Sequence, residues 1–392
     1  MQSGSGELPC DPFQGPSACQ TASLVRVAVT LEQCWHRVPG GTATSILGLL
    51  GALRDRLELD LVGVAARHAD SPPAPFVPPI PVTHLPLPRP LLYEGWHAPG
   101  ALRWPPVERA TGAVDVVHAT AVAVPPTASP LVVTIHDLAF LAEPSLFTRH
   151  GLRFFRRGTE LARRHATVVV VPSRATAAEC VDAGFDQSRL RVVPWGVETA
   201  NPAAAADIER ARIAHGLPER YVLFCGTIEP RKNLRRLVDA FVLSAPPDVV
   251  LALAGGAGWH EDAAELLAPL GARARPLGFV ASPERDLLYA GAAAVAYPSL
   301  REGFGLPVLE AMAQGAPVLT SRGTATEEVA GDAAVLVDPT DTGAIASALA
   351  DLLADPAAAA ALGERGRARA ATFTWAATAE ATHRAYEEAA GR

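Results

Sequence analysis

The chain has 392 residues, of which 49% are hydrophobic and 19% charged, and this is more than one ordinary core accommodates. We therefore expect a globular protein of two domains. The formal net charge of −7 argues against nucleic acid as the main partner, because phosphate neutralisation needs a basic face. Five cysteines without metal-ligand spacing are typical of reduced thiols in the cytoplasm.

The first residues of the chain do not resemble a targeting segment. Residues 1–22 lack the basic start and the apolar run of a signal peptide, and we interpret them as a disordered tail. No apolar stretch free of glycine, proline and charge reaches membrane-spanning length. A cytoplasmic protein is expected, and peripheral contact with the inner face of the membrane stays open.

Apolar runs of strand length alternate with amphipathic helical stretches through residues 23–200. This alternation predicts βαβ units around a parallel sheet. The runs are rich in valine on both faces, as in strands that helices cover on both sides. The predicted strands are residues 24–30, 59–65, 114–120, 131–137, 167–173 and 190–196.

An Ala- and charge-rich stretch at 201–221 marks a domain junction, and a second set of strands follows within 201–373. These strands are residues 222–227, 249–256, 274–280, 293–299, 316–321 and 333–339. The fold class is therefore α/β, with two doubly wound, Rossmann-like parallel sheets that face a central cleft. Ligands of such sheets bind outside the carboxyl ends of the strands. Residues 374–392 form a final helix.

One segment of the first domain does not fit this alternation. Residues 71–106 are so dense in proline that we expect neither a helix nor a central strand there. Long loops of this kind are functional or disordered. Because Tyr93, Trp96, His97 and Trp104 lie within it, we predict a flap that contacts an acceptor; the alternative is a disordered loop.

Two carboxylates stand eight residues apart in LREGFGLPVLEAMAQGAPVLTS, residues 300–321. Glu302 lies in a Gly-rich loop, and Pro307 predicts a helix start that puts Glu310 in the first helical turn. The loop and the helix N-terminus favour a phosphate. Carboxylates accept hydrogen bonds from sugar hydroxyls. A helix-dipole glutamate with a Gly turn would explain Glu310 alone, but not Glu302.

The only lysine of the chain, Lys232, lies in GTIEPRKNL after the predicted strand 222–227. Lysine is a compact charge on a flexible stem, whereas arginine is a planar fork. Arg231 and Lys232 at a strand's carboxyl end could together neutralise a diphosphate. One alternative is an ordinary solvated basic pair. The other is that the lysine has no role and is present by chance in a chain that otherwise uses arginine.

The first domain offers weaker candidates. Gly40 and Gly41 open a helix after strand 24–30 and could bring backbone amides to a phosphate. His136 ends strand 131–137 and is expected to face the cleft, and His118 is placed similarly. A single histidine is more often a packed or surface residue, but the position at a strand end favours a role in the site.

These motifs together resemble the retaining glycosyltransferases of family 4, which have the GT-B fold. The resemblance rests on GTIEPRKNL, YPSLREGFGLPVLEAMAQGAPVLTS, TIHDL and VVPWGV and covers about residues 24–390. Within it, the spacing of Glu302 and Glu310 with its surroundings is the specific part. The resemblance also implies that the final helix returns to pack on the first domain.

The resemblance implies roles for individual residues. Glu302 would contact the transferred sugar, Glu310 the nucleotide ribose, and Arg231 with Lys232 the diphosphate. His136 would lie beside the donor sugar. Many members have arginine after the glycine that ends the preceding strand, where this chain has Thr227. We therefore expect Arg231 to replace that arginine. The remaining predicted donor-binding residues are Gly40, Gly41, Gly226, Thr227, Phe279, Val280, Gly303, Phe304, Gly305 and Leu306.

The implied reaction passes a sugar from a nucleoside diphosphate sugar to an acceptor hydroxyl with retention of configuration. GDP-mannose is the first candidate donor, and the expected acceptor is a glycan or a lipid-linked sugar in surface polysaccharide or glycolipid synthesis. We expect no metal and no other cofactor, because the chain has no Asp-x-Asp and Arg231 and Lys232 would replace the cation.

Other interpretations remain at this stage. The arginines of 151–166 form either a solvated helix face or a surface that docks on an anionic lipid. Enzymatic alternatives are a sugar-nucleotide epimerase and a phosphorylase on the same fold. The other alternative is a non-catalytic sugar-nucleotide-binding protein. A dinucleotide oxidoreductase and an ATPase fit poorly, because G-x-G-x-x-G after a strand and G-x-x-x-x-G-K-[ST] are missing.

Overall fold

The computed structural model describes residues 24–37, 39–199, 202–256, 258 and 262–392. The tail predicted at 1–22 lies outside the described residues, as do positions 200 and 201 at the predicted domain junction. The described residues form two parallel sheets, one of seven strands and one of six. The predicted fold class of two Rossmann-like, doubly wound domains is confirmed.

The first sheet is parallel throughout, with strand order β3-β2-β1-β4-β5-β6-β7. Its central strands are buried on both faces, which explains their valine content. The strands are β1 (Val25–Thr30), β2 (Leu59–Ala65), β3 (Val82–His84), β4 (Val116–Ala119), β5 (Leu131–Thr134), β6 (Val168–Val171) and β7 (Leu190–Val192). The sequence predicted all of them except the edge strand β3.

Helices cover both faces of this sheet and create two apolar cores. One core lies under α1, and the other lies under α2, α5 and α6. The helices are α1 (Gly40–Leu53), α2 (Arg89–Trp96), α3 (Glu108–Thr111), α4 (Ala139–Ala142), α5 (Arg149–His165) and α6 (Arg174–Asp182).

The second sheet is also parallel, with strand order β10-β9-β8-β11-β12-β13. Strands β8 and β11 are neighbours at its centre although they are far apart in the chain. The strands are β8 (Tyr221–Cys225), β9 (Val250–Ala254), β10 (Ala274–Gly278), β11 (Ala294–Tyr297), β12 (Val318–Ser321) and β13 (Val335–Val337). Each corresponds to a strand that the sequence predicted.

The helices of the second half complete this domain, and the last one leaves it. They are α7 (Ala205–Ala214), α8 (Leu234–Ser244), α9 (Ala263–Leu267), α10 (Glu284–Ala290), α11 (Leu306–Ala313), α12 (Ala325–Ala330), α13 (Thr342–Ala354), α14 (Pro356–Ala370) and α15 (Trp375–Ala390). Helix α15 packs on α1 and the first sheet. Its buried Tyr386 hydroxyl lies 2.8 Å from Nδ1 of His118.

The Pro-rich segment 71–106 contains a helix, so the expectation that it holds none was wrong. Helix α2 begins after Pro88 and has Pro90 as its second residue. Proline is tolerated there, because the first amides of a helix have no intrahelical partner. Leu92 and Trp96 of α2 are buried in the core, so this part of the segment is packed rather than a disordered loop.

The two domains touch at the carboxyl ends of their strands. Ser173 Oγ and Thr176 Oγ1 of the first domain donate to the carbonyl oxygen of Gly303 at 2.7 and 3.1 Å. The backbone amides of Arg174 and Ala175 donate to the Glu328 carboxylate. These contacts hold the loop that contains Glu302 against the first domain.

Within the described ranges, no single helix combines the length and the apolar character needed to cross a bilayer. Only the consecutive pair Thr342–Ala354 and Pro356–Ala390, bent by 103°, meets that criterion of length and composition when its members are joined.

Candidate active site

The segment after β8 brings the lysine to the interdomain edge of the second sheet. A short 3-10 helix, Pro230–Lys232, follows the strand, and Asn233 then adopts a left-handed conformation with φ of 60°. Asparagine tolerates this region better than most residues. Its amide donates to the carbonyl oxygens of Pro298 and Pro339 at 2.9 and 2.7 Å. This tie fixes Lys232 relative to the end of β11.

Lys232 and Glu302 form a buried ion pair. The Lys232 ammonium donates to Glu302 Oε1 and to the Tyr297 hydroxyl, both at 2.6 Å. The Tyr297 hydroxyl in turn donates to Glu302 Oε1 at 3.0 Å. The side chains of Lys232 and Glu302 are only 9% and 7% exposed. The structure therefore places the single lysine and the first glutamate of the pair in direct contact.

Arg231 joins this pair to a further carboxylate. Its guanidinium donates to Glu302 Oε2 at 3.1 Å and lies 2.9 Å from Glu229 Oε1. Glu229 is 1% exposed and also accepts a hydrogen bond from Thr227 Oγ1 at 3.2 Å. Thr227 therefore supports Arg231 indirectly, through Glu229. The cluster holds two cations and two carboxylates.

The ion pairs decide the protonation of these groups. Burial would raise the pKa of Glu302, but Lys232 and Arg231 outweigh burial and lower it. Burial and the neighbouring Arg231 lower the pKa of Lys232 against the pull of Glu302. Glu302 is therefore ionised at neutral pH. Burial beside Arg231 makes the charged form of Lys232 less favourable than it is for a lysine in water.

The glycine-rich loop leads into α11 through two close approaches. A Cβ on Gly303 would lie 1.8 Å from the carbonyl oxygen of His136, so only glycine fits against the first domain there. Gly305 caps α11 with φ of 107°. Pro307 has no N–H, and the amides of Val308 and Leu309 donate to the carbonyl oxygen of Gly305 at 3.0 and 3.2 Å, so the N-terminus of α11 offers the amide of Leu306 to an anion. Pro307 is the second residue of this helix, not the first.

Glu310 lies in the second turn of α11, not in the first as predicted, and it is tied to α10. Arg285 donates to its Oε1 at 2.9 Å, and the Tyr289 hydroxyl donates to Oε2 at 3.3 Å. Burial raises the pKa of Glu310 to about 6, although Arg285 opposes this shift. At neutral pH the carboxyl is ionised and can accept hydrogen bonds.

The first domain contributes neutral groups to the same edge. His136 Nε2 lies 2.8 Å from the carbonyl oxygen of Thr120, an acceptor, and therefore carries the proton. Burial lowers the pKa of His136, so the ring is neutral at pH 7. Gly40 and Gly41 begin α1, and a Cβ on Gly41 would lie 3.8 Å from Leu306. The N-terminus of α1 therefore faces that of α11.

Several other candidate residues differ in their exposure. Phe304 is 6% exposed and packs edge-on against Phe373. Val280 is 5% exposed, whereas the adjacent Phe279 is 65% exposed and its ring lies 6.3 Å from that of Phe76. His118 is fully buried under α15.

Three of the residues that complete the site were not predicted from the sequence. Glu229 and Tyr297 hold the cation pair and Glu302, and Arg285 holds Glu310. Glu229 precedes Pro230 in the motif that contains the lysine, and Tyr297 is the last residue of β11, so position at a strand end was the available signal. In the part of the chain that the structure describes, no group of three or more His, Cys, Asp or Glu could hold a metal ion.

Two family models match the chain, one for each domain. The model described as glycosyltransferase family 4 matches residues 39–201, and the model described as glycosyl transferases group 1 matches residues 206–369. Together these matches cover most of both domains. The chain belongs to this family of glycosyltransferases.

The chain is also similar in sequence to individual glycosyltransferases. The chain is 32% identical over 259 residues to an O-antigen chain mannosyltransferase B from Escherichia coli, with 62% of this chain and 66% of the relative covered. It is 36% identical over 217 residues to a GDP-mannose-dependent phosphatidylinositol monomannoside mannosyltransferase from Mycolicibacterium smegmatis, with 52% and 57% covered. The chain thus spans between 57 and 66% of the length of these relatives.

Solved structures share the complete fold. A protein from Anabaena, Alr3699/HepE, was crystallised with UDP and glucose and has a TM-score of 0.73 at 21% identity, with 92% of this chain and 98% of that chain covered. WaaG, a glycosyltransferase involved in lipopolysaccharide biosynthesis, has a TM-score of 0.69 at 18% identity, with 92% and 98% covered. At these identities the likeness shows the GT-B fold alone.

Proposed function

We propose that this protein transfers a hexose from a nucleoside diphosphate sugar to an acceptor hydroxyl, with retention of configuration. The observation that carries the proposal is the cluster of Arg231, Lys232 and Glu302 beside the N-terminus of α11. Two cations and the positive end of a helix suit a diphosphate, and a carboxylate suits a sugar hydroxyl. GDP-mannose is the proposed donor, because two of the curated relatives described above are mannosyltransferases, one of them GDP-mannose-dependent.

The roles proposed for the residues follow from the charges of the step. As the bond from the anomeric carbon to the diphosphate breaks, negative charge develops on the leaving oxygen. Arg231, Lys232 and the positive N-terminus of α11 would stabilise that charge. Preorganised electrostatics of this kind is usually the largest catalytic contribution. Because Lys232 and Arg231 already contact Glu302, the carboxylate would yield part of their hydrogen bonding to the diphosphate.

The remaining roles concern the sugar and the acceptor. Glu302 would bind a hydroxyl of the transferred sugar, and Glu310 the ribose of the donor. Neutral His136 would lie beside the donor sugar at the edge of the first domain. In the proposed front-face reaction the leaving phosphate takes the proton of the acceptor hydroxyl. Glu302 is not proposed as a nucleophile, since its oxygens are held by Lys232, Arg231 and Tyr297.

The donor is tested with a panel of nucleotide sugars in EDTA: GDP-mannose, UDP-glucose, UDP-GlcNAc and dTDP-rhamnose. Thermal stabilisation and slow donor hydrolysis are followed for each of them. We expect one donor, GDP-mannose, to stabilise the protein and to be hydrolysed without metal. NMR of a transferred product then gives the anomeric configuration; an inverted product contradicts retention. Absence of binding by every donor contradicts the proposed function.

The proposed acceptor is a glycan or a lipid-linked sugar, and the proposed place of action is the cytoplasmic face of the membrane. Helix α5 supports this, because Arg149, Leu152, Arg153, Arg156 and Arg157 line one shallow surface of the first domain. Arg153 is 71% exposed. The double variant Arg153→Glu, Arg156→Glu should no longer sediment with anionic vesicles. The control Arg210→Glu, which replaces an exposed arginine on α7, should still sediment with them. Equal sedimentation of both variants contradicts the membrane contact.

A further inference from the structure

The carboxyl ends of β8, β9 and β10 form a glycine-lined edge next to Glu310. These strands are followed or ended by Gly226, Gly255 and Gly278. A Cβ on Gly255 would lie 1.9 Å from the carbonyl oxygen of Gly226, so the chain can approach itself there only without a side chain. A Cβ on Gly278 would meet nothing within 4 Å, so the space beside it is open.

Phe279, the residue directly after β10, is 65% exposed at this edge. The proposed diphosphate position lies between the ends of β8 and β11, and Glu310 lies on the side toward α10. A nucleotide whose ribose contacts Glu310 therefore extends its base along the ends of β9 and β10. Arg285 is the cation on that side, at the start of α10.

The guanidinium of Arg285 has unused donors. One terminal nitrogen donates to Glu310 and lies 3.8 Å from Asp286, and the side chain is 20% exposed. Its Nε is buried and has no hydrogen-bond partner among the described residues. Arginine carries five N–H donors in a fixed fork, so the present contacts satisfy only part of its capacity. A buried donor without a partner costs free energy, so the contacts within the described chain do not fully satisfy this guanidinium.

We propose that Arg285 recognises the base of the donor and selects guanine over uracil. This inference rests on the proposed function. Guanine presents two adjacent acceptors, O6 and N7, which an arginine binds in bidentate fashion. The carbonyl oxygens of uracil are separated by an N–H donor, so one fork cannot bind both. Glu310 holds the guanidinium in place, and Arg285 is therefore the residue that determines specificity for a guanosine diphosphate sugar.

Binding of GDP and UDP in EDTA tests this proposal by calorimetry. The wild-type protein should bind GDP about tenfold or more tightly than UDP, since a bidentate contact discriminates by that order. Arg285→Met should abolish this preference by weakening GDP binding much more than UDP binding. Arg220→Met is the matched control, because Arg220 pairs with Asp248 away from this edge; it should keep the wild-type ratio.

The outcomes separate this proposal from the proposed function. If Arg285→Met weakens GDP and UDP equally, Arg285 only supports Glu310 and the specificity role is overturned. If the wild-type protein binds UDP as tightly as GDP, guanine selection is likewise overturned while nucleotide binding stands. If neither nucleotide binds, the donor site itself is wrong.

Discussion

The two sheet edges that meet across the cleft differ in charge. The edge of the second domain carries Arg231, Lys232 and Glu302 in one hydrogen-bonded cluster, with a further carboxylate at Glu229. The edge of the first domain offers His136, which burial keeps neutral, the amides at the start of α1, and the single carboxylate of Asp137, whose charge acts on Arg231. Under the proposed function, the two cations of the second domain would hold the anionic leaving group, and the first domain would hold the acceptor.

The largest effect should come from removing the lysine from the charged edge. Lys232→Met removes one of two cations and leaves Glu302 with Arg231 and the Tyr297 hydroxyl. We expect kcat/KM for sugar transfer to fall by about 10²–10³, which is the effect of losing one preorganised donor. Steady-state kinetics with the identified donor measures this change.

The control for that variant is Arg235→Met, which removes an exposed cation three residues further along, in α8. It should leave kcat/KM within about twofold of the wild type, since exposed charges contribute little. An equal loss in both variants would mean that net charge, not the cluster, governs the rate.

The next effect concerns the contact between the two edges. In Gly303→Ala the new methyl group would lie 1.8 Å from the His136 carbonyl oxygen, so the domains must separate. We expect the free energy of unfolding to fall by about 1–3 kcal/mol, as in other overpacked sites, and transfer to fall with it. Chemical denaturation and kinetics check both. Gly51→Ala, in helix α1, meets nothing within 4 Å and serves as the control. It should leave transfer unchanged and raise the free energy of unfolding by up to about 1 kcal/mol, because alanine favours a helix more than glycine does.

A smaller effect is expected from His136, at the edge of the first domain. His136→Ala removes a ring that donates to the Thr120 carbonyl at 2.8 Å and lies at the proposed sugar position. We expect transfer to fall by about tenfold, in keeping with the loss of one hydrogen bond. Donor affinity should change less than kcat. A loss as large as that of Lys232→Met would erase the contrast between the edges.

The smallest effect is a pH dependence that belongs to Glu310. Burial raises its pKa to about 6, so its carboxylate becomes protonated as the pH falls through that value. A protonated carboxyl accepts fewer hydrogen bonds from a ribose, and donor affinity should therefore fall below pH 6. Titration calorimetry from pH 5 to 8 measures the fall. Glu310→Gln should flatten the profile; an unchanged profile would assign the titration elsewhere.

The same shift has a consequence for stability. Because the folded chain holds this proton more tightly than the unfolded chain, Glu310 contributes stability at low pH. That contribution is lost as the pH rises from about 4.5 through about 6. Glu302 has the opposite sign, since its pKa is lowered, and its contribution is lost as the pH falls.

The sequence predicted what depends on strand position. Arg231 and Lys232 follow one strand and Glu302 another, and parallel strands bring their carboxyl ends to one edge, so their meeting was predictable. The sequence did not predict strand β3 and helix α2. The dense prolines of this segment argue against both, but proline is tolerated in a first helical turn, where Pro90 lies. The bond from Arg285 to Glu310 was also missed, since a contact between two helices has no local sequence pattern.

In the proposed reaction, Lys232 holds the diphosphate of the donor without a metal. The most direct measurement is the affinity ratio between a nucleoside diphosphate and its monophosphate, GDP and GMP, in EDTA for the wild type and for Lys232→Met. We expect the wild type to bind GDP much more tightly than GMP, and the affinity ratio to fall toward one in Lys232→Met. An unchanged ratio in Lys232→Met would contradict it and move the diphosphate away from this lysine.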